Sequence, residues 1–110
     1  MKKPRLAYID YTACGTLMVI NLRERGIIIA GAETLDDFLT KNRMEDFPAL
    51  LYHPGIKQQH LLREIPKKFP HLKIAGITSP TSGGDYLSSN LPIFSYNSID
   101  AIEKWIRENQ

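Results

Sequence analysis

The stretch that decides the fold is LAYIDY, residues 6–11, near the amino end of the chain. Its apolar residues follow one another without alternation, which is typical of a strand buried on both faces of a parallel sheet. The run ends at an acid, Asp10. The sequence therefore predicts a buried first strand over about Arg5–Asp10, with a carboxylate at its carboxyl end.

Four more apolar runs follow, and amphipathic segments separate most of them. The five predicted strands are Leu6–Ile9, Ile27–Ala30, Ala49–Tyr52, Leu72–Ile77 and Pro92–Ser95. Alternation of strands and helices predicts a parallel sheet with helices on both faces, a three-layer α/β/α sandwich. In such sheets ligands and catalytic groups lie at the carboxyl ends of the strands. The residues at those ends therefore decide the function.

Apolar spacing and capping residues predict the helices. They run from about Thr16 to Arg25, from an N-cap at Thr34 to near Asn42, from about Lys57 to Glu64, and onward from Ser98. We expect the first helix to place Leu17, Met18, Asn21, Leu22 and Arg25 near one stripe. The second should turn Leu35, Phe38 and Leu39 inward, and the third should have Leu61, Leu62 and Ile65 as its apolar edge. For the last helix the inward residues are Ala101, Ile102, Trp105 and Ile106. Between Thr78 and Leu91, Ser, Gly and Pro favour an irregular or shortened fourth helix.

Composition and charge exclude several classes of protein. A chain of 110 residues, 43% hydrophobic and 24% charged, is typical of one globular domain, residues 1–110. A net charge of +2 with dispersed bases does not favour nucleic-acid binding. Cys14, the single cysteine, allows no internal disulfide and no multi-cysteine metal site. Neither a signal peptide nor a membrane-spanning run is present, which predicts a cytoplasmic protein.

Four stretches in order carry a resemblance to a known family. They are LAYIDY at 6–11, ALLYHPG at 49–55, IAGITS at 74–79 and PIFSYNS at 92–98. Their order and spacing resemble a response-regulator receiver domain over nearly the whole chain. The resemblance implies a flavodoxin-like sheet with strand order 2-1-3-4-5. It also implies a place in two-component signalling.

Receivers accept a phosphoryl group on an aspartate that ends strand three, beside a Mg²⁺ ion held by acids after strand one. Asp10 matches one member of that acid pair, but its neighbours are Ile9 and Tyr11. The acceptor position falls on Tyr52 or His53, and neither is a carboxylate. Compared with receivers, this chain therefore has one of the metal-binding acids, Asp10, and no carboxylate at the phosphoryl-acceptor position.

Two further receiver positions are a Thr or Ser ending strand four and a Lys ending strand five. Thr78 matches the first, whereas the Lys position falls on Tyr96. With acceptor, second acid and Lys all missing, the resemblance implies a degenerate receiver, or pseudo-receiver. We expect no enzymatic activity, no metal ion and no cofactor.

A pseudo-receiver would act by binding another protein or a second copy of itself, without nucleic acid or membrane. No DNA-binding module is expected, so the protein would transmit its signal by direct contact with a partner. In receivers the face around helix four, strand five and helix five commonly contacts partners. The apolar and aromatic residues that this implies here are Tyr86, Leu87, Leu91, Phe94 and Tyr96. The alternative is that Leu87, Leu91 and Phe94 fill the local core.

A small phosphotransfer protein is the competing hypothesis. Cys14 follows strand one near a helix amino end, where a thiolate is stabilised; this resembles the sugar-phosphotransferase IIB domains. His53 could instead accept a phosphoryl group or bind a metal, although a hydrogen-bonded loop histidine also explains its position. For Cys14 the simpler interpretation is a small, semi-buried thiol.

Overall fold

The computed structural model describes residues 2–53, 63–78 and 91–110. Within them the strands are β1 (Arg5–Ile9), β2 (Ile28–Ala32), β3 (Ala49–Tyr52), β4 (Lys73–Thr78) and β5 (Ile93–Ser95). All neighbouring strands are parallel, and their order is β2-β1-β3-β4-β5. Both the predicted parallel sheet and its predicted strand order are confirmed.

The helices are α1 (Ala13–Glu24), α2 (Leu35–Lys41), the short α3 (Ile65–Lys68) and α4 (Ile99–Glu108), with a 3₁₀ turn at Met44–Asp46. No helix in the described part of the chain is long and apolar enough to cross a membrane.

Strand β1 is buried on both faces, as its unbroken apolar run predicts. Leu6, Ala7, Tyr8 and Ile9 are each at most 1% exposed. Because successive side chains of a strand point to opposite faces, they divide between two cores. Leu6 and Tyr8 belong to the core beneath α1 and α4, and Ala7 and Ile9 to the core beneath α2. The sheet therefore separates two packed layers, and β1, an interior strand, contributes side chains to both.

Helix α1 begins three residues before the predicted start at Thr16. The backbone of Thr12 is extended, and its hydroxyl accepts a hydrogen bond from the Gly15 N–H at 3.0 Å, which caps the helix. Met18 and Leu22 are buried as predicted. Leu17, predicted to lie on the same stripe, is 61% exposed because it lies about 100° around the helix from Met18, and Gly15, Met18 and Leu22 form the inner face.

The other predicted helices are partly corrected. Thr34 caps α2 by accepting from the Asp37 N–H at 3.1 Å, as predicted, but Leu39 is 44% exposed rather than inward. In α4, Ile102 and Ile106 are buried whereas Ala101 is exposed. Most of the helix predicted over 57–64, and nearly all of the irregular segment predicted over 78–91, lie outside the described residues.

Candidate functional site

The carboxylate of Asp10 is the centre of a hydrogen-bond cluster at the carboxyl edge of the sheet. Its Oδ1 atom accepts from the backbone N–H and the hydroxyl of Thr12, each at 2.8 Å. Its Oδ2 atom accepts from the hydroxyls of Tyr8 at 3.0 Å and Tyr96 at 2.5 Å. A carboxylate offers about four lone-pair positions, so these four donors fill them.

Three elements bring these donors together. Tyr8 and Asp10 are two residues apart at the end of β1, so their side chains leave the sheet on the same face. Thr12 lies in the turn that opens α1. Tyr96 follows β5 and reaches Asp10 across the ends of β3 and β4, with its own backbone N–H donating to the Thr78 carbonyl at 3.1 Å.

Gly15 lets the first turn of α1 lie directly against the carboxylate. A Cβ atom at this position would stand 2.4 Å from both Cγ and Oδ2 of Asp10. No side chain larger than hydrogen fits there unless Asp10 moves. The Gly15 N–H also binds the Thr12 hydroxyl, which leaves the hydroxyl proton free to reach Asp10. Gly15 therefore belongs to the site, although it carries no reactive group.

Both tyrosines of the cluster remain protonated at neutral pH. Burial, followed by the charge of Asp10, raises the pKa of the Tyr8 phenol far above its ordinary value. Burial, followed by its hydrogen bond to Asp10, also raises the pKa of the Tyr96 phenol. Each phenol is thus a fixed neutral donor to the carboxylate.

The two predicted acceptor positions at the end of β3 lie on opposite sides of the sheet. Tyr52 is fully buried in the core beneath α2. His53 lies with the cluster, where its ring packs edge-on against Tyr11 at 5.4 Å and stacks on Tyr96 at 6.4 Å between centroids. The structure thus places His53, and not Tyr52, beside the Asp10 cluster.

Thr78 and Cys14 flank the cluster. Thr78 ends β4 and is half-buried, with its carbonyl bound by Tyr96. Cys14 is exposed in the first turn of α1, rather than semi-buried. Across residues 2–53, 63–78 and 91–110, no three His, Cys, Asp or Glu side chains stand close enough together to hold a metal ion.

Tyr8, Thr12 and Gly15 are parts of the site that the sequence did not single out. The buried apolar run of β1 predicts a core position for Tyr8, and its ring does lie in the core beneath α1 and α4. A tyrosine two residues before an acid at a strand end is the signal that could have revealed it, because the two side chains share a face.

The predicted contact face is described only in part. Leu91 and Phe94 are half-buried: Leu91 packs on the core beneath α2, and the Phe94 ring lies 5.9 Å from that of Trp105. Both make core contacts, as the alternative expected. Tyr86 and Leu87 lie outside the described residues.

Sequence comparison finds no family model and no curated protein that matches the chain. Solved structures do match it. A response regulator from Thermotoga maritima superposes with a TM-score of 0.71 at 17% identity, over 97% of each chain. A chain from the crystal structure of the histidine kinase ThkA in complex with the response regulator protein TrrA gives 0.72 at 19%, again over 97% of each. The chain therefore has the receiver fold of response regulators.

Proposed function

We propose that this protein is a pseudo-receiver: a signalling protein that acts through contacts with proteins and does not use aspartyl phosphorylation. The response regulators that share its fold support a role in signalling, and one of the matching structures is a complex with a histidine kinase. The filled carboxylate of Asp10 is the observation that carries the proposal.

A Mg²⁺ ion requires near-octahedral oxygen coordination and several hard ligands. Asp10 already accepts four hydrogen bonds, two on each oxygen. A metal ion bound to either oxygen would have to displace at least one of these donors, which include the buried phenol of Tyr8 and the half-buried phenol of Tyr96. Tyr11, the next residue, supplies no second carboxylate. The Asp10 carboxylate therefore binds the hydroxyl groups of Tyr8, Thr12 and Tyr96 in preference to a metal ion.

Phosphoryl transfer also needs an acceptor and a positive charge close to the phosphoryl oxygens. The residue that follows β3 and faces the cluster is His53, and the residue that follows β5 is Tyr96. A neutral phenol cannot neutralise a phosphoryl dianion, and this one already donates to Asp10. Neither requirement for aspartyl phosphorylation is met by these side chains.

Incubation with acetyl phosphate and Mg²⁺, followed by intact-mass measurement, tests the proposal. A response regulator with a complete acidic pocket serves as the positive control. We expect no mass gain under conditions that phosphorylate the control. A stoichiometric phosphoryl group on Asp10 would contradict the proposal. One mapped to Cys14 or His53 would favour the small phosphotransfer protein instead.

The proposed contact face centres on the edge strand β5. Among the residues that the structure describes, none pairs with the outer edge of β5, where Ile93 is 38% exposed, and such an edge is a ready surface for a second chain. The substitution Ile93→Lys should therefore weaken self-association measured by sedimentation. Ile28→Lys, on the opposite edge strand β2 and 46% exposed, is the matched control. If neither variant changes the association constant, or both change it equally, β5 is not the contact face.

A further inference from the structure

A basic groove runs along the amino edge of the sheet, opposite Asp10. It consists of two clefts, of about 430 Å³ and about 320 Å³, which share Arg5 in their walls. Six cationic side chains line them, against one acidic side chain, that of Asp46. The cations that define the basic groove are Lys2, Lys3, Arg5, Lys41, Arg43 and Arg107.

Most of this charge is not neutralised within the described part of the chain. There, Lys2, Lys3, Arg5 and Lys41 form no ion pair, whereas Arg43 pairs with Glu45 at 3.2 Å and Arg107 with Glu103 at 2.9 Å. Clustered like charges repel, so an anionic occupant would relieve the repulsion.

Helix dipoles explain only part of the cluster. Lys41 and Arg107 lie in the last turns of α2 and α4, where a cation complements the negative end of the helix. Lys2 and Lys3 precede β1 and Arg5 begins it, so no helix accounts for them. Because the start of β1 lies beside the ends of α2 and α4, the cations of the strand and those of the helix ends line the same groove.

Arg5 is held in place at the junction of the two clefts. Its guanidinium lies over the Phe47 ring, 5.0 Å from the centroid, and such stacking leaves the in-plane N–H groups available. Gln110 fixes its backbone by accepting from the Arg5 N–H at 2.7 Å and donating to the Arg5 carbonyl at 3.2 Å. A preorganised guanidinium loses little entropy when it binds a carboxylate.

We propose that the basic groove binds an acidic segment of a protein partner, with an apolar residue of that segment against Leu39. Leu39 is 44% exposed within the groove, and Pro4 and Pro48 add apolar surface. Phe47 is the aromatic ring of the groove, but Arg5 covers it, so it offers no platform for stacking a nucleic-acid base. The proposal extends the proposed function by naming a class of partner, and it does not depend on whether Asp10 accepts a phosphoryl group.

Fluorescence anisotropy with a labelled peptide in which glutamates alternate with leucines tests the proposal on the full chain. We expect saturable binding that weakens when the ionic strength rises from about 0.05 M to about 0.3 M, because exposed charges are screened. The double variant Lys2→Gln/Lys3→Gln should weaken binding about tenfold, since two ion pairs are lost. Lys67→Gln/Lys104→Gln removes the same net charge outside the groove and should change the affinity less than twofold.

Three results would overturn the assignment. One is equal weakening by the two double variants, which would show a response to net charge alone. The second is equal binding of the peptide with glutamine in place of glutamate. The third is tighter binding of a single-stranded oligonucleotide with the same dependence on Lys2 and Lys3, which would assign the groove to nucleic acid. Each double variant replaces exposed side chains outside both cores, and circular dichroism confirms that it folds.

Discussion

Replacing Tyr96 by phenylalanine removes one hydroxyl and leaves the ring. That hydroxyl donates to Oδ2 of Asp10 at 2.5 Å, a distance typical of a hydrogen bond to a charged acceptor, and it also lies 3.0 Å from the Thr12 hydroxyl. Hydrogen bonds to charged groups contribute about 1.5–3 kcal/mol. Tyr96 is half-buried, so water can replace part of the bond. We therefore expect Tyr96→Phe to lower the free energy of unfolding by about 1.5 kcal/mol.

Urea unfolding at neutral pH, followed by circular dichroism, measures this loss. Tyr11→Phe is the matched control, because Tyr11 is 54% exposed and does not bond to Asp10. Its effect should stay within about 0.5 kcal/mol. A double-mutant cycle with Asp10→Asn isolates the pair, and we expect a coupling free energy of about 1 kcal/mol or more.

A coupling free energy near zero would refute the reasoning. It would mean that the phenol and the carboxylate contribute to stability independently. The claim that internal donors hold Asp10 away from a metal ion would then lose its main support. An effect of Tyr11→Phe as large as that of Tyr96→Phe would lead to the same conclusion.

Three further predictions follow from the same cluster. Gly15→Ala should destabilise the fold by roughly 1–3 kcal/mol because its Cβ would overlap Asp10, whereas Gly31→Ala, whose nearest atom would be 3.9 Å away, should be nearly neutral in urea unfolding. The pKa values of Tyr8 and Tyr96 are raised in the folded state, so above about pH 10 the unfolded chain loses these phenolic protons first. The stabilisation from the two phenols should therefore be fully present below about pH 10, and the free energy of unfolding should fall above it. The fall should approach 1.4 kcal/mol per pH unit for Tyr8, less for the more exposed Tyr96 because solvent screens it, and it should flatten in the Tyr8→Phe/Tyr96→Phe variant. Titration with millimolar Mg²⁺ should leave the NMR signals of the amides around Asp10 unmoved, and saturable shifts confined to that region would contradict this.

The strands could be predicted from the sequence because each contains a short apolar run, and the runs of β1, β3 and β4 are largely buried. The unbroken run of β1 fixes a central position, since both faces have to be covered. Helix faces were predicted less well. Leu17 and Leu39 are exposed because adjacent helical residues lie about 100° apart, so neither leucine can share the centre of the inner face with the buried residue beside it, Met18 or Phe38.

The candidate site could be predicted only as a set of positions. Strand ends indicate that Asp10, His53 and Tyr96 lie near one another, because parallel strands end at one edge. The strand ends do not indicate which donor binds which oxygen of the Asp10 carboxylate. The bond from Tyr8 to Asp10 and the close approach of Gly15 depend on side-chain rotamers and on the exact start of α1. Tyr52 and His53 could not be separated because one residue of register reverses the face.

The filled carboxylate also limits how the sequence of this site can change. An acid in place of Tyr11 would put a second negative charge beside the Asp10 carboxylate, while the hydroxyls of Tyr8 and Tyr96 still occupied that carboxylate. Phenylalanine in place of Tyr8 would leave a lone pair of Asp10 without a donor in a largely buried place. Single substitutions toward a metal site should therefore each cost stability before any metal could compensate. Converting the cluster into a metal site would therefore require simultaneous substitutions on β1, in the turn after it and after β5.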